Sequence, residues 1–451
     1  MLLPLCRAGI RPRPAERQGR TLSRAGVRQT LAWRQGASLA AFLIPGVALW
    51  LPSGYSWGAA LLLLCALIGA PGWWGRPLDA GTRRLSLLIA AMALLWGLDT
   101  GPHFGFGSAE APLKYLAALP CLWFAVAAPP RPGALWAGLA VGGIGSGLLA
   151  MVQRHGLHLE RAHGFTNAVQ YGDLSLLIGL MALVTLAALW LRLTPPQRLL
   201  LAAGGVLGLI GSLLSQTRGG WLALVLVAPV FGIVLARRGM AAQAGRAALA
   251  LAATLLLAWP FTHTELAGRL ALVNSEVQAY VEHHDASTSI GQRFEHWQLA
   301  AHMGADRPLL GWGGDYEAEK ARRVAAGQAD PVVLEFTHAH NELMDMFARR
   351  GLVGVALLLL YMLVPLWLFW PTPARVRGAA GDAPDPVRLA LCLVGILLPL
   401  AYIGFGLTQV FFAHNSGHMF YLFMLVIVQG ALAGPAAAPE AGLPVGVAAG
   451  R

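Results

Sequence analysis

The pattern that most constrains this chain is the return of long apolar runs along most of its length, each close to what a bilayer crossing needs. A backbone that enters hydrocarbon must satisfy its own hydrogen bonds, which leaves only helices and closed barrels. The runs are rich in Leu, Ala and Gly and lack the strict alternation of a barrel strand, so they read as helices. Composition points the same way. Of 451 residues 56% are hydrophobic and 12% charged, whereas a soluble domain carries about twice that charged share. The fold class expected is an all-α polytopic membrane protein of about 12 transmembrane helices with one large helical loop on the outer side. The spans fall at 37–52, 56–74, 85–98, 113–128, 133–152, 174–191, 199–216, 220–236, 247–262, 351–370, 389–409 and 416–433.

The formal net charge of +11 does not indicate a nucleic-acid partner. Only Lys114 and Lys320 are lysines, and most arginines sit in short connections between apolar runs, the positive-inside pattern. With the N-terminus inside, the inner segments hold eight arginines from Arg7 to Arg34. They also hold Arg76, Arg83, Arg84, Arg131, Arg192, Arg198, Arg237, Arg238, Arg246, Arg375, Arg377, Arg388 and Arg451, for 21 basic residues. The short outer loops hold four: Lys114, Arg154, Arg161 and Arg218. Long outer segments are exempt from the rule, so both termini are expected in the cytoplasm. The organisation that follows is a basic cytoplasmic N-terminus (1–36), spans one to nine (37–262), an outer loop (263–345), spans ten to twelve (346–433) and a disordered cytoplasmic tail (434–451). The run 38–51 has the length of a signal-peptide core, but another span follows almost at once, and it reads as a retained helix. Cys6, Cys65, Cys121 and Cys392 form neither a disulfide framework nor a spaced metal site.

The outer loop holds more than half of the chain's 22 acidic residues. Leu266, Leu270, Val273, Val277 and Tyr280 recur at helical spacing, a loop follows at Asp285, and a second helix carries Arg293, Phe294, Trp297 and Ala301. Gly311-Trp-Gly-Gly is a turn, and a last helix starts near His338 to His340 and runs into the span at Gly351. The spans themselves hold essentially no Asp, Glu, Lys or Arg, which disfavours an ion-coupled transporter. Chemistry is therefore expected at the outer membrane surface. Three pieces stand out there: the turn Ser215-Gln-Thr-Arg218-Gly-Gly220, Arg293 one helical turn before Trp297, and Thr337-His-Ala-His340-Asn-Glu-Leu-Met-Asp345. Each has a plain alternative. Arg218 reads equally as a snorkelling interfacial arginine, Arg293 as a solvated one, and the histidines as interfacial residues. A metal site is not expected, since His-x-His on a helix splays its rings by about 200°.

His340-Asn341, nine residues and then Gly351-Leu-Val-Gly354 resembles the His-Asn signature of the O-antigen ligase family. Ser215-Gln-Thr-Arg218-Gly-Gly-Trp resembles the family's arginine turn, and Arg293-Phe-Glu-His-Trp297 with Pro308-Leu-Leu-Gly-Trp-Gly313 resembles its periplasmic-loop pattern. All three occur in the family's order, and the likeness covers about residues 150–430. It implies a multi-pass protein of a bacterial inner membrane, with its active site facing the periplasm in loop 263–345. The implied donor is O-antigen glycan on undecaprenyl diphosphate, and the acceptor a lipid A-core sugar hydroxyl; membrane lipids surround both. No cofactor is implied.

These residue types suit that reaction. A guanidinium forks two hydrogen bonds onto phosphate and keeps its proton, so Arg218 and Arg293 are candidates to hold the departing diphosphate. His340 is the candidate base for the attacking hydroxyl, with Asn341 or Glu342 to orient it. Arg161, His338, Asn341 and His414 are further candidates for binding the diphosphate or lipid A phosphate. A single displacement would invert the anomeric centre. An O-antigen polymerase or a protein O-oligosaccharyltransferase would use the same donor, and a lipid or polysaccharide transporter would make no bond.

Overall fold

The computed structural model describes residues 24–100, 106–217, 219–237, 272–377 and 384–434, with scattered positions between 238 and 271. The start of the basic N-terminus, most of the expected span 247–262 and the tail beyond Gly434 lie outside the described residues. Regular structure among the described residues is helical, with one isolated antiparallel bridge between Arg377 and Pro384. The longer helices named here are α1 (Arg24–Gly46), α2 (Gly54–Ile68), α3 (Ala80–Thr100), α4 (Phe106–Ala127), α5 (Pro132–Met151), α6 (Ala168–Leu189) and α7 (Pro195–Leu214). They continue as α8 (Gly219–Arg237), α9 (Ser289–Asp306), α10 (Tyr316–Ala325), α11 (Glu342–Phe369), α12 (Pro386–Gly406) and α13 (Asn415–Ala433).

Seven of these, α3, α5, α6, α7, α11, α12 and α13, are long and apolar enough to cross a membrane, and α2 and α8 are shorter apolar helices. The chain is thus an all-helical, polytopic membrane protein. Helices α1, α2, α4 and α8 occupy the expected spans at 37–52, 56–74, 113–128 and 220–236 without meeting that length and hydropathy standard.

Helix ends follow capping chemistry rather than hydropathy, which moves several expected edges. Asp79 accepts from the Gly81 and Thr82 N–H groups at 2.8 and 3.0 Å, so α3 starts before the apolar run at 85 and is a full-length helix. Asn167 caps α6 through the Gln170 N–H, Thr194 and Gln197 form a reciprocal capping box on α7, and Asp385 caps α12. The expectation of spans without charge needs correction for the same reason. Asp173 lies one turn inside α6 and is fully buried, and the first turns of α11 carry Glu342, Asp345, Arg349 and Arg350.

The centre of the bundle is α6, α12 and α13, whose side chains are almost all buried by the other helices. Where α5 meets α7, a Cβ on Gly143 would sit 2.0 Å from the Gly204 carbonyl oxygen. Glycine there lets two backbones touch, the close packing that replaces hydrophobic driving force within lipid. Helices α9 and α10 form a separate layer over one end of the bundle. Its small core contains Leu299, Ala300, Met303, Tyr316, Val333, Ala339 and Ala348.

Candidate active site

The α9–α10 layer is fastened to the bundle at a break in α11. Gly351 has φ 59° and ψ −159°, a conformation open only to glycine, and there the helical ladder is interrupted. The loop Pro308–Gly313 crosses this break and takes the backbone groups that the helix gives up. Leu352 N–H donates to Pro308 O at 2.7 Å, Val353 N–H to Leu309 O at 3.2 Å, and Trp312 N–H to Ala348 O at 3.0 Å. A Cβ on Gly351 would lie 2.3 Å from the Leu309 carbonyl carbon, and one on Gly311 2.4 Å from that of Arg349. Two glycine motifs far apart in sequence are therefore the two halves of one joint.

Just before α11 the chain is pinned to the 407–412 loop that follows α12. Asn341 caps α11, its Oδ1 accepting from the Leu343 and Met344 N–H groups, while its Nδ2 donates to Leu407 O at 3.2 Å. Glu342 Oε2 accepts from the Phe411 and Phe412 N–H groups at 2.6 and 3.2 Å. Asp345 Oδ1 accepts from the Ala339 N–H at 3.0 Å. Held on both sides, His340 sits at φ 51°, in the left-handed region.

The His340 ring is oriented by Gln409, whose Oε1 lies 3.0 Å from Nδ1. The same Oε1 accepts from the Val410 N–H at 3.1 Å. A backbone N–H can only donate, so the amide atom is the oxygen and Nδ1 must carry the ring proton. Nε2 is then the lone-pair nitrogen. Asn341 and Glu342, the orienting residues expected from sequence, are instead occupied with the backbone.

Around His340 lie three more histidines, His338 two residues before it and His296 and His414 from other parts of the chain. The ring centroids of His338 and His340 are 4.5 Å apart, those of His338 and His414 5.3 Å, and those of His296 and His340 5.7 Å. Phe336 packs edge-on against His340 at 4.6 Å. His338 and His340 are not on a helix, because Asn341 delays its start. The splay expected for a helical His-x-His pair is therefore corrected, and the two rings meet edge to face at 87°. Burial pushes these imidazoles down, and His338 and Arg293 add to the effect at His340, which falls to about 3. His296 and His414 fall to about 4, chiefly from burial, and His338 is lowered for the same reason. The cluster is thus uncharged at neutral pH. His338 Nδ1, both His296 nitrogens, His414 Nε2 and Trp297 Nε1 are buried with no hydrogen-bond partner among the described residues. Ring nitrogens can donate or accept, so the cluster carries hydrogen-bonding capacity that these residues do not use. No group of three or more His, Cys, Asp or Glu among the described residues is arranged to hold a metal ion.

Of the expected cations, Arg293 on α9 is near enough for its charge to act on His340, and its Nη1 donates to Ser289 Oγ at 3.0 Å. Arg161 donates from Nε to Ser215 O at 2.9 Å and so braces the turn that leads to Arg218. Arg218 itself lies outside the described residues. Its neighbours place the turn: a Cβ on Gly219 would lie 2.2 Å from Thr408 Oγ1, next to Gln409. From beneath, the buried Asp173 carboxylate approaches the first residues of α8, with Oδ1 2.7 Å from where a Gly220 Cβ would stand. The 407–412 loop is therefore where the arginine turn and the His340 segment meet. Sequence reasoning did not single out Gln409, Asp173 or His296, although His296 lies inside the quoted Arg293–Trp297 motif.

A protein of Haemophilus influenzae described only as uncharacterized is 26% identical over 282 residues, 61% of this chain and 67% of the relative. Residues 203–359 match the family model described as O-antigen ligase. The matched stretch contains the arginine turn, Arg293, the Pro308–Gly313 loop, His340 and the Gly351 joint. Over residues 203–359, then, the chain is similar to the family described as O-antigen ligase.

Proposed function

We propose that the chain transfers O-antigen glycan from undecaprenyl diphosphate to a lipid A-core sugar hydroxyl at the periplasmic face of the inner membrane. The observation that carries this reading is the His340–Gln409 pair, which presents Nε2 as a fixed lone pair beside Arg293. In the proposed step Nε2 takes the acceptor hydroxyl proton as the new oxygen–carbon bond forms at the anomeric carbon. The bond from that carbon to the phosphate oxygen breaks, and its electron pair leaves with undecaprenyl diphosphate. One displacement from one face inverts the centre. Diphosphate is a good leaving group, so its charge, rather than a proton, needs stabilising. Arg293 and Arg218 supply that by forked hydrogen bonds, and Arg161 braces the turn that carries Arg218.

His340 at about 3 is a poor proton acceptor in the free protein. The arriving diphosphate corrects this, because negative charge beside the ring favours imidazolium and lifts its pKa toward the range a base needs. Donor binding thereby arms the base. The test is a lipopolysaccharide gel from a ligase-deficient strain complemented with His340→Ala, with membrane levels checked by blot. Loss of a positioned base should lower transfer by roughly 10²–10⁴-fold, which removes the high-mass ladder. A full ladder at normal protein level would mean that His340 is not the base. Transfer to protein, or polymerisation without transfer to lipid A core, would redirect the acceptor while leaving the chemistry.

A further inference from the structure

The membrane end opposite the histidines contains a second built feature that the proposed reaction does not use. Helices α11, α12 and α13 run from the His340 end to it, and the 21 residues of α12 span roughly 31 Å, about one hydrocarbon thickness. There Asp79, Arg84, Leu368, Arg375, Arg388, Gln429 and Leu432 line a cavity of about 280 Å³. Three guanidinium groups against one carboxylate leave it positive. The carboxylate is already engaged, since Asp79 caps α3 through the Gly81 and Thr82 N–H groups and bonds the Thr82 hydroxyl.

The arginines are fixed by different means. Arg375 donates from Nη1 to the Trp367 and Trp370 carbonyls, closing the end of α11. Arg388 donates from Nε to Arg375 O at 2.8 Å. Arg84 has no hydrogen-bond acceptor among the described residues and rests over the Trp367 ring at 4.9 Å. Arg375 approaches the same ring at 5.3 Å. Trp367 is itself half exposed on the bundle surface, and tryptophan at a span end marks the headgroup level. A cavity at that level, positive inside and edged by Leu368 and Leu432, joins an anion site to an apolar wall. Its volume admits a phosphate with a few carbons, not an acyl chain.

We propose that this cavity binds the phosphodiester of an anionic phospholipid, with Arg84 as the arm that closes on it and the acyl chains running down the bundle surface. A free phosphate ion offers the same oxygens without the chains, and the experiment separates the two. The full chain is purified in detergent and its retained lipid is read by native mass spectrometry after exposure to phosphatidylglycerol, phosphatidylethanolamine or inorganic phosphate. Phosphatidylglycerol should be retained in preference to phosphatidylethanolamine. Arg84→Gln should lower that retention about fivefold, the weight of one basic residue near an anionic headgroup. Arg84→Lys should keep most of it. Arg83→Gln, which removes the same charge one position away and outside the cavity, should leave it unchanged. Equal loss in Arg83→Gln would reduce the effect to surface charge and overturn the site. So would unchanged retention in Arg84→Gln, and so would inorganic phosphate displacing the lipid at millimolar concentration. None of these readouts depends on glycan transfer.

Discussion

The two ends of the α11–α12–α13 bundle handle charge in opposite ways. At the His340 end, polar groups are buried, the acid and amide side chains held by partners and several ring nitrogens left without one. Glu342 is buried on two backbone N–H groups, Asn341 is spent on a cap and on Leu407, and four histidines are kept neutral by burial. At the other end, arginines lean on tryptophan faces and helix carbonyls and border a cavity. Low dielectric makes each interaction at the first end stronger and each mismatch costlier. At the second end water screens charge interactions. Catalysis needs the first kind of place, and holding a mobile lipid needs only the second.

The largest test of this contrast is all or none. From the excess of arginine on one side, a periplasm-active reporter fused after residue 300 should be active, and one fused after residue 380 inactive. The reverse pattern would turn the histidine end to the cytoplasm, where undecaprenyl-linked glycan is not presented for ligation. The proposed reaction would then fail, while the arginine cavity would remain a lipid site in the other leaflet.

A middle-sized effect is expected at Gln409. Gln409→Leu removes the acceptor of Nδ1–H, frees the ring to turn and lets it take the wrong tautomer. Loss of such an orienting partner costs roughly 10–100-fold. It should appear in kcat with KM little changed, since no substrate contact is lost. Gln409→Glu keeps an acceptor for both Nδ1–H and the Val410 N–H and adds a negative charge. That variant should keep most activity and move the acid limb to higher pH. A Gln409→Leu enzyme with unchanged kcat would show that the 407–412 loop is only scaffold.

How much of this was legible in sequence differs between the ends as well. The apolar runs announced the helices, since their backbone has no other option in lipid, and the arginines of the cavity end stood out in sequence as charge bias. Caps hid from hydropathy, which is why α3 and α6 begin before their apolar runs and Asp173 was missed. At the histidine end, His340 and Arg293 were candidates from sequence because each sits in a local motif. The Gly351 joint was readable as a motif but not as a joint, because its other half, Pro308–Gly313, lies some forty residues earlier. Gln409 had no pattern at all. It meets His340 across 69 residues of chain, and a glutamine after an apolar run looks like any helix end. Its role exists only once three helices have folded.

The smallest effect is a displacement on the pH axis, and it bears on how dry the histidine end stays once donor is bound. In the free protein burial leads the causes that push His340 down to about 3, with His338, Arg293 and His296 adding to it and Gln409 opposing. The ring therefore remains unprotonated through the mildly acid range. A bound diphosphate raises this pKa, so the complex should lose its base at a higher pH than the free enzyme does. Because kcat/KM reports ionisations of the free enzyme and kcat those of the complex, the acid limb of kcat should lie above that of kcat/KM, by roughly one unit or more. Arg293→Gln should narrow the gap, since it both relieves His340 of a neighbouring positive charge and weakens the grip on the diphosphate. Coincident limbs in the unmodified enzyme would place the donor's phosphates away from His340. The arginines would then anchor the lipid carrier without arming the base, and the two ends of the bundle would differ less than their structures suggest.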